Sequence, residues 1–137
     1  ACGRQDAAPE LLEIDVIDTG IATSTTDFGG RAAVAYDALG GNGQDCNGHG
    51  THVAGIVGAR TASPQGITGV APGDTFRSYR VFGCGVPVGA GVSTSTDILL
   101  AAIEAAGAAK PDVVAGHDYD MHCSAFMNWE PAEPPQP

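Results

Sequence analysis

Short apolar runs closed by turn signals alternate along this chain with segments of helical character, and that alternation decides its fold class. Leu11–Ile17 (LLEIDVI) ends at Asp18-Thr19-Gly20 and reads as a buried strand running into a tight turn. Arg31–Tyr36 is a second strand candidate, and the Gly- and Asn-rich stretch Asp37–Gly48 is loop. Thr51–Ala59 is apolar and long enough for a short buried helix. Gly55 and Gly58 lower its helical propensity and point to close packing on a neighbouring sheet. Thr75–Phe82 follows the turn Ala71-Pro72-Gly73 and has strand chemistry, with loop again at Gly83–Gly91. The next segment reads as a helix that Thr94 caps, with Asp97 three residues on. Leu99, Ala102, Ile103 and Ala106 give it one apolar stripe, Gly107 is the expected stop, and Asp112–Ala115 is the next buried strand. The expectation is an α/β fold, a parallel β-sheet flanked by helices. Residues 1–12 read as an N-terminal extension, and residues 116–137, which lack periodicity, as an irregular C-terminal tail.

Composition narrows the function classes. A length of 137 residues suits one domain, and 43% apolar residues suffice for a core. Sixteen acidic against six basic residues give a net charge of −10, which argues against nucleic acid as a partner. No apolar run approaches the roughly 18 residues needed to span a bilayer, so no membrane partner is expected. The four cysteines, Cys2, Cys46, Cys84 and Cys123, form no CxxC pair, and composition leaves all three two-disulfide connectivities open. Their even number, the Gly-rich loops and the scarcity of lysine lean towards a secreted protein. Ala1–Pro9 lacks the basic-then-apolar pattern of a signal peptide.

Two segments carry chemistry. Val16-Ile17-Asp18-Thr19-Gly20 puts a carboxylate at the C-terminal end of a buried strand, where parallel α/β sheets build their sites. Asp45-Cys46-Asn47-Gly48-His49-Gly50-Thr51-His52 sets a histidine between glycines at the mouth of a helix. His49 and His52 are spaced to face one metal ion, but the sequence offers no third ligand nearby, and His52 reads as a hydrogen-bonded helix histidine. His117-Asp118-Tyr119-Asp120-Met121-His122-Cys123 alternates potential metal ligands, with an aberrant C-terminus as the plainer reading. No metal ligands are assigned.

Taken together, VIDTG and the GHGTHVAG string with His49 resemble the subtilisin-like serine proteases (subtilases). Gly69-Val70-Ala71-Pro72, Ser78-Tyr79-Arg80-Val81, the helix within Ser93–Ala106 and Asp112-Val113-Val114 follow in the family's order. The resemblance covers Glu13–Val114 and implies a subtilisin-like fold over 13–115. It implies Asp18 as the carboxylate that orients a histidine, and His49 as the general base of a Ser-His-Asp triad. His52 matches the family's second, non-catalytic histidine. Gly89-Ala90-Gly91 corresponds to the Gly-x-Gly edge that pairs with substrate backbone. The resemblance further implies a Cys46–Cys84 disulfide, polypeptide substrates, no cofactor for catalysis, and structural calcium.

The family's GTSMA-like serine motif and its oxyanion-hole Asn are not found in these residues. Ser124, the only serine after the last matching strand, lacks the glycine and the helical setting of that motif. The chain is therefore expected to hold the first half of a catalytic domain, to be inactive as it stands, and to have the C-terminal half of such a domain as a partner. The alternative is a non-catalytic remnant that serves as an interaction module.

Overall fold

A computed structural model describes residues 11–60, 66 and 68–116. Four strands, β1 (Glu13–Asp18), β2 (Ala32–Asp37), β3 (Thr75–Arg80) and β4 (Val113–Gly116), form one sheet in the order β2-β3-β1-β4. Every pairing is parallel. Helix α1 (His49–Gly58) follows β2, α2 (Thr96–Ala108) follows β3, and a single 3-10 turn spans Thr26–Phe28. A parallel α/β sheet flanked by helices is thus what the alternation builds.

The two helices cover opposite faces, so β1 buries apolar side chains on both of them rather than on one alone. Ile14 and Val16 join Phe28, Phe76 and Ala54 of α1 in one core cluster. Ile17 points the other way and joins Tyr79, Val114 and Ala102 and Ala106 of α2. An added Cβ at Gly58 would collide with the Phe76 ring, which is why α1 ends on a glycine. Arg31 fixes that end by donating to the Gly58 carbonyl at 2.8 Å and to the Asp74 carbonyl at 2.7 Å. A cation there also suits the negative end of the helix dipole.

One charged group lies within the α2 side of the sheet. Asp15 is fully buried and stands opposite Arg77 in the β1–β3 register. Arg77 donates to it through Nε at 2.7 Å and Nη2 at 3.3 Å, and reaches Glu13 with Nη1 at 2.9 Å. Burial pushes the Asp15 carboxyl above its ordinary value, and the Arg77 bonds hold that rise in check. Burial beside this carboxylate also raises the Tyr79 phenol to about 12.

The strands shift by one or two residues from the sequence reading, and the helices differ from it at points that have a physical cause. Helix α2 is capped by Ser95, whose Oγ accepts from the Ile98 N–H, so Thr94 lies one residue too early. Gly107 does not stop it. The helix runs through to Ala108, and the chain turns at Lys110, which takes φ +52° ahead of Pro111. A residue before proline is disfavoured in the right-handed helical region. Helix α1 begins at His49, two residues before Thr51, because side chains from outside the helix hold its first N–H groups. No helix among the described residues is long and apolar enough to cross a membrane.

Candidate active site

Period-two alternation places Asp18 on the same face as Ile14 and Val16, the face covered by α1. It is the last residue of β1 and is 1% exposed, while His49 is the first residue of α1 with its side chain 41% exposed. Strand end and helix start therefore meet. His49 Nδ1 lies 2.8 Å from Asp18 Oδ1 and 2.9 Å from Oδ2. The Thr19 N–H also donates to Asp18 Oδ1 at 2.7 Å, fixing the carboxylate from its own turn.

The start of α1 leaves none of its leading N–H groups unpaired. The N–H of His49 donates to Asn47 Oδ1 at 3.2 Å, that of Gly50 to Thr19 Oγ1 at 2.9 Å, and that of Thr51 to Asp45 Oδ2 at 3.0 Å. The His52 N–H reaches the Gly48 carbonyl at 3.0 Å. Asp45 Oδ1 further accepts from the N–H groups of Asn47 and Gly48 and from the Thr19 hydroxyl, each at 2.9 Å. Burial pushes the Asp45 carboxyl upward. The Gly48 N–H, the Thr51 hydroxyl and N–H, and the Thr19 hydroxyl together outweigh that and hold it below its ordinary value.

Sequence reasoning assigned no role to Asp45, Thr19 or Asn47. The available signal was an Asp and an Asn within a few residues of a helix start, a pattern that caps helices.

A cleft of about 610 Å³ opens beside the pair, lined by Asp18, His49 and Asn47 on one side and by Gly89, Ala90 and Gly91 on the other. Asn47 Nδ2 ties the walls together by donating to the Cys84 carbonyl at 2.9 Å and the Ala90 carbonyl at 3.0 Å. Cys46 and Cys84 are joined by a disulfide with their Cα atoms 4.9 Å apart. Arg80 holds its guanidinium against both sulfurs, Nη2 standing 3.6 Å from Cys46 Sγ and 4.0 Å from Cys84 Sγ, while Nη1 pairs with Asp37 at 3.2 Å.

His52 does not share this cleft; it lines a separate cavity with Phe28, Ile56 and Ala59. His49 and His52 therefore face different spaces. Among the described residues no three His, Cys, Asp or Glu side chains gather to hold a metal ion. His117, His122, Cys2, Cys123 and Ser124 lie outside the described residues.

A buried carboxylate locked onto a histidine at the mouth of a cleft is an acid–base arrangement, and comparison with known proteins gives it a family. The model of the subtilase family matches residues 12–126, running past the Val114 at which the motif resemblance ends. An extracellular serine proteinase of Thermus sp. (strain Rt41A) is 51% identical over 71 residues, covering 50% of this chain and 16% of that protein. An alkaline proteinase of Hapsidospora chrysogena is 45% identical over 85 residues, 62% of this chain and 18% of its own length. A thermophilic serine proteinase of Bacillus sp. (strain AK1) is 34% identical over 118 residues, 85% of this chain and 28% of that protein. The crystal structure of a cold-adapted subtilisin-like serine proteinase superposes with a TM-score of 0.59 at 30% identity, covering 76% of this chain and 34% of that one. The chain thus spans less than a third of the length of these three relatives. It belongs to the subtilase family.

Proposed function

We propose that this chain carries the acid–base half of a serine endopeptidase site, in which Asp18 orients His49 and His49 acts as general base. The observation that carries the reading is the 2.8 Å contact between His49 Nδ1 and the buried Asp18 carboxylate, at the edge of an open cleft. An ionised Asp18 selects the tautomer with the proton on Nδ1, which puts the basic lone pair on Nε2. That nitrogen takes the proton of a serine hydroxyl as the hydroxyl attacks the peptide carbonyl, then returns it to the leaving amine. Asp18 stabilises the imidazolium between the two transfers.

Gly89-Ala90-Gly91 supplies the wall against which an extended peptide pairs its backbone. Polypeptides are the substrates in this reading, and the likeness to the extracellular serine proteinase of Thermus sp. supports an extracellular setting. The serine and the oxyanion-hole donor come from polypeptide that corresponds to the downstream part of the relatives.

A fluorophosphonate probe, which labels only an activated serine, tests this directly. The chain by itself stays unlabelled. Mixed or co-expressed with a subtilase downstream segment that carries a GTSMA-like motif, it gives labelling and peptide hydrolysis. Both then fall by about four orders of magnitude in Asp18→Asn and at least as far in His49→Ala. Labelling of the chain alone at Ser124, or full activity of the His49→Ala complex, would overturn the reading. A second reading is a non-catalytic interaction module. It predicts binding to a downstream segment with no recovery of labelling.

A further inference from the structure

Asp18 and His49 lie 31 residues apart on different elements, so their contact is only as exact as the placement of two separate backbones. What sets that placement is a closed ring of hydrogen bonds around His49. The N–H on one side of it, Gly48, donates to Asp45 Oδ1; the N–H on the other, Gly50, donates to Thr19 Oγ1; and the Thr19 hydroxyl donates to the same Asp45 oxygen. Thr19 in turn holds Asp18 through its N–H. We propose that Asp45 is a positioning residue for the acid–base pair, bridging the end of β1 to the start of α1 and so fixing the spacing and rotation of His49 against Asp18.

An ordinary capping carboxylate would accept only from its own helix. Asp45 also accepts from Thr19 at the far end of the contact. Through the Asn47 N–H, whose side chain holds the Ala90 carbonyl, it reaches the opposite wall of the cleft as well. Outer partners of this kind matter because small displacements of reacting groups cost large factors in rate.

The proposal rests on the Asp18–His49 reading, and its test separates the two. The readout is the imidazole Nδ1–H of His49, followed by proton NMR as a deshielded resonance and by its exchange rate with solvent. In the oxidised wild-type chain the resonance is present and protected, and Asp18→Asn abolishes it. Thr19→Val, which removes one hydroxyl at nearly constant volume, raises the exchange rate by about tenfold or more, and Asp45→Ala does at least as much. Thr19→Ser keeps the hydroxyl and stays within about twofold of wild type, a rescue that loss of helix stability alone would not give.

Backbone amide spectra establish that each variant is folded. If Asp45→Ala unfolds, the Thr19 pair decides the matter. Wild-type exchange in both Thr19→Val and Asp45→Ala, with Asp18→Asn still abolishing the signal, overturns the role of Asp45 alone. A resonance absent from the wild type, or unmoved in Asp18→Asn, overturns the Asp18–His49 pairing on which it rests.

Discussion

A methyl group is too much at Gly50. A Cβ there would run into the Gly20 carbonyl and come within 3.1 Å of Thr19 Oγ1 and 3.2 Å of the Asp18 Cβ. The helix start is pressed this closely onto the β1 turn so that the His49 ring can reach Asp18. Gly50→Ala is therefore expected to cost about 1–3 kcal/mol in urea unfolding and to lengthen the His49–Asp18 contact, read as a weaker Nδ1–H resonance. Arg77 offers a second test. Removing it leaves the buried Asp15 carboxylate without its counter-charge, with only the Tyr79 hydroxyl bonded to it, and losing one partner of a buried ion pair costs about 3–5 kcal/mol. The pH dependence follows from sign. Burial raises the folded-state pKa of Asp15, so the folded chain keeps its proton after the unfolded chain has lost it near 3.8, and stability declines as pH rises through the folded value. Arg77 limits that decline. Arg77→Met should thus cost less in urea unfolding at pH 3.5, where more of the carboxyl carries its proton, than at pH 7. An equal cost at both pH values would refute the argument.

At the scale of elements, the disulfide and Asn47 together hold the loop before α2 against the start of α1. Cys46 and Cys84 are 38 residues apart, and closing a loop of that length contributes roughly 3–4 kcal/mol by restricting the unfolded chain. Reduction, or Cys46→Ser with Cys84→Ser, should lower stability by that amount in denaturant titrations. The elements differ in how plainly the sequence announces them. Strand β1 was legible because both its faces are covered, so Ile14, Val16 and Ile17 are all apolar, and the turn signal Asp18-Thr19-Gly20 closes it. The two-residue error at the start of α1 has a physical cause: Gly-His-Gly carries no helical propensity, and the groups that cap that turn come from Thr19, Asp45 and Asn47. The Ser95 cap was missed by one residue, since Thr94 and Ser95 are chemically equivalent caps and only backbone geometry chooses. Asp18 and His49, which the structure brings into contact, each stand out in the sequence because each sits in an unbroken motif. Asp45 could not be, because its meaning depends on a hydroxyl 26 residues away. The burial of Asp15 was equally hidden, its partner being 62 residues further on.

At the scale of the molecule, a net charge of −10 favours solubility, while several large apolar side chains face outward. Ile56 on α1 is 57% exposed, and Val86 and Val88 in the loop beside the cleft are 97% and 71% exposed. Side chains of this kind suit a surface that another part of the domain covers. The chain by itself should therefore bind a hydrophobic dye such as ANS, and a downstream segment should quench that signal and raise the thermal midpoint. An unchanged dye signal on mixing would argue against such cover. The strand order carries a consequence for how the chain acquires its shape. β1 and β2 never touch; β3 lies between them and pairs with both. The first two strands thus have no hydrogen-bonding partner in each other, so the sheet cannot be built up in the order of the chain. On a ribosome, β1 and β2 would both emerge well before Thr75–Arg80, and would have to wait for that strand before it could join them.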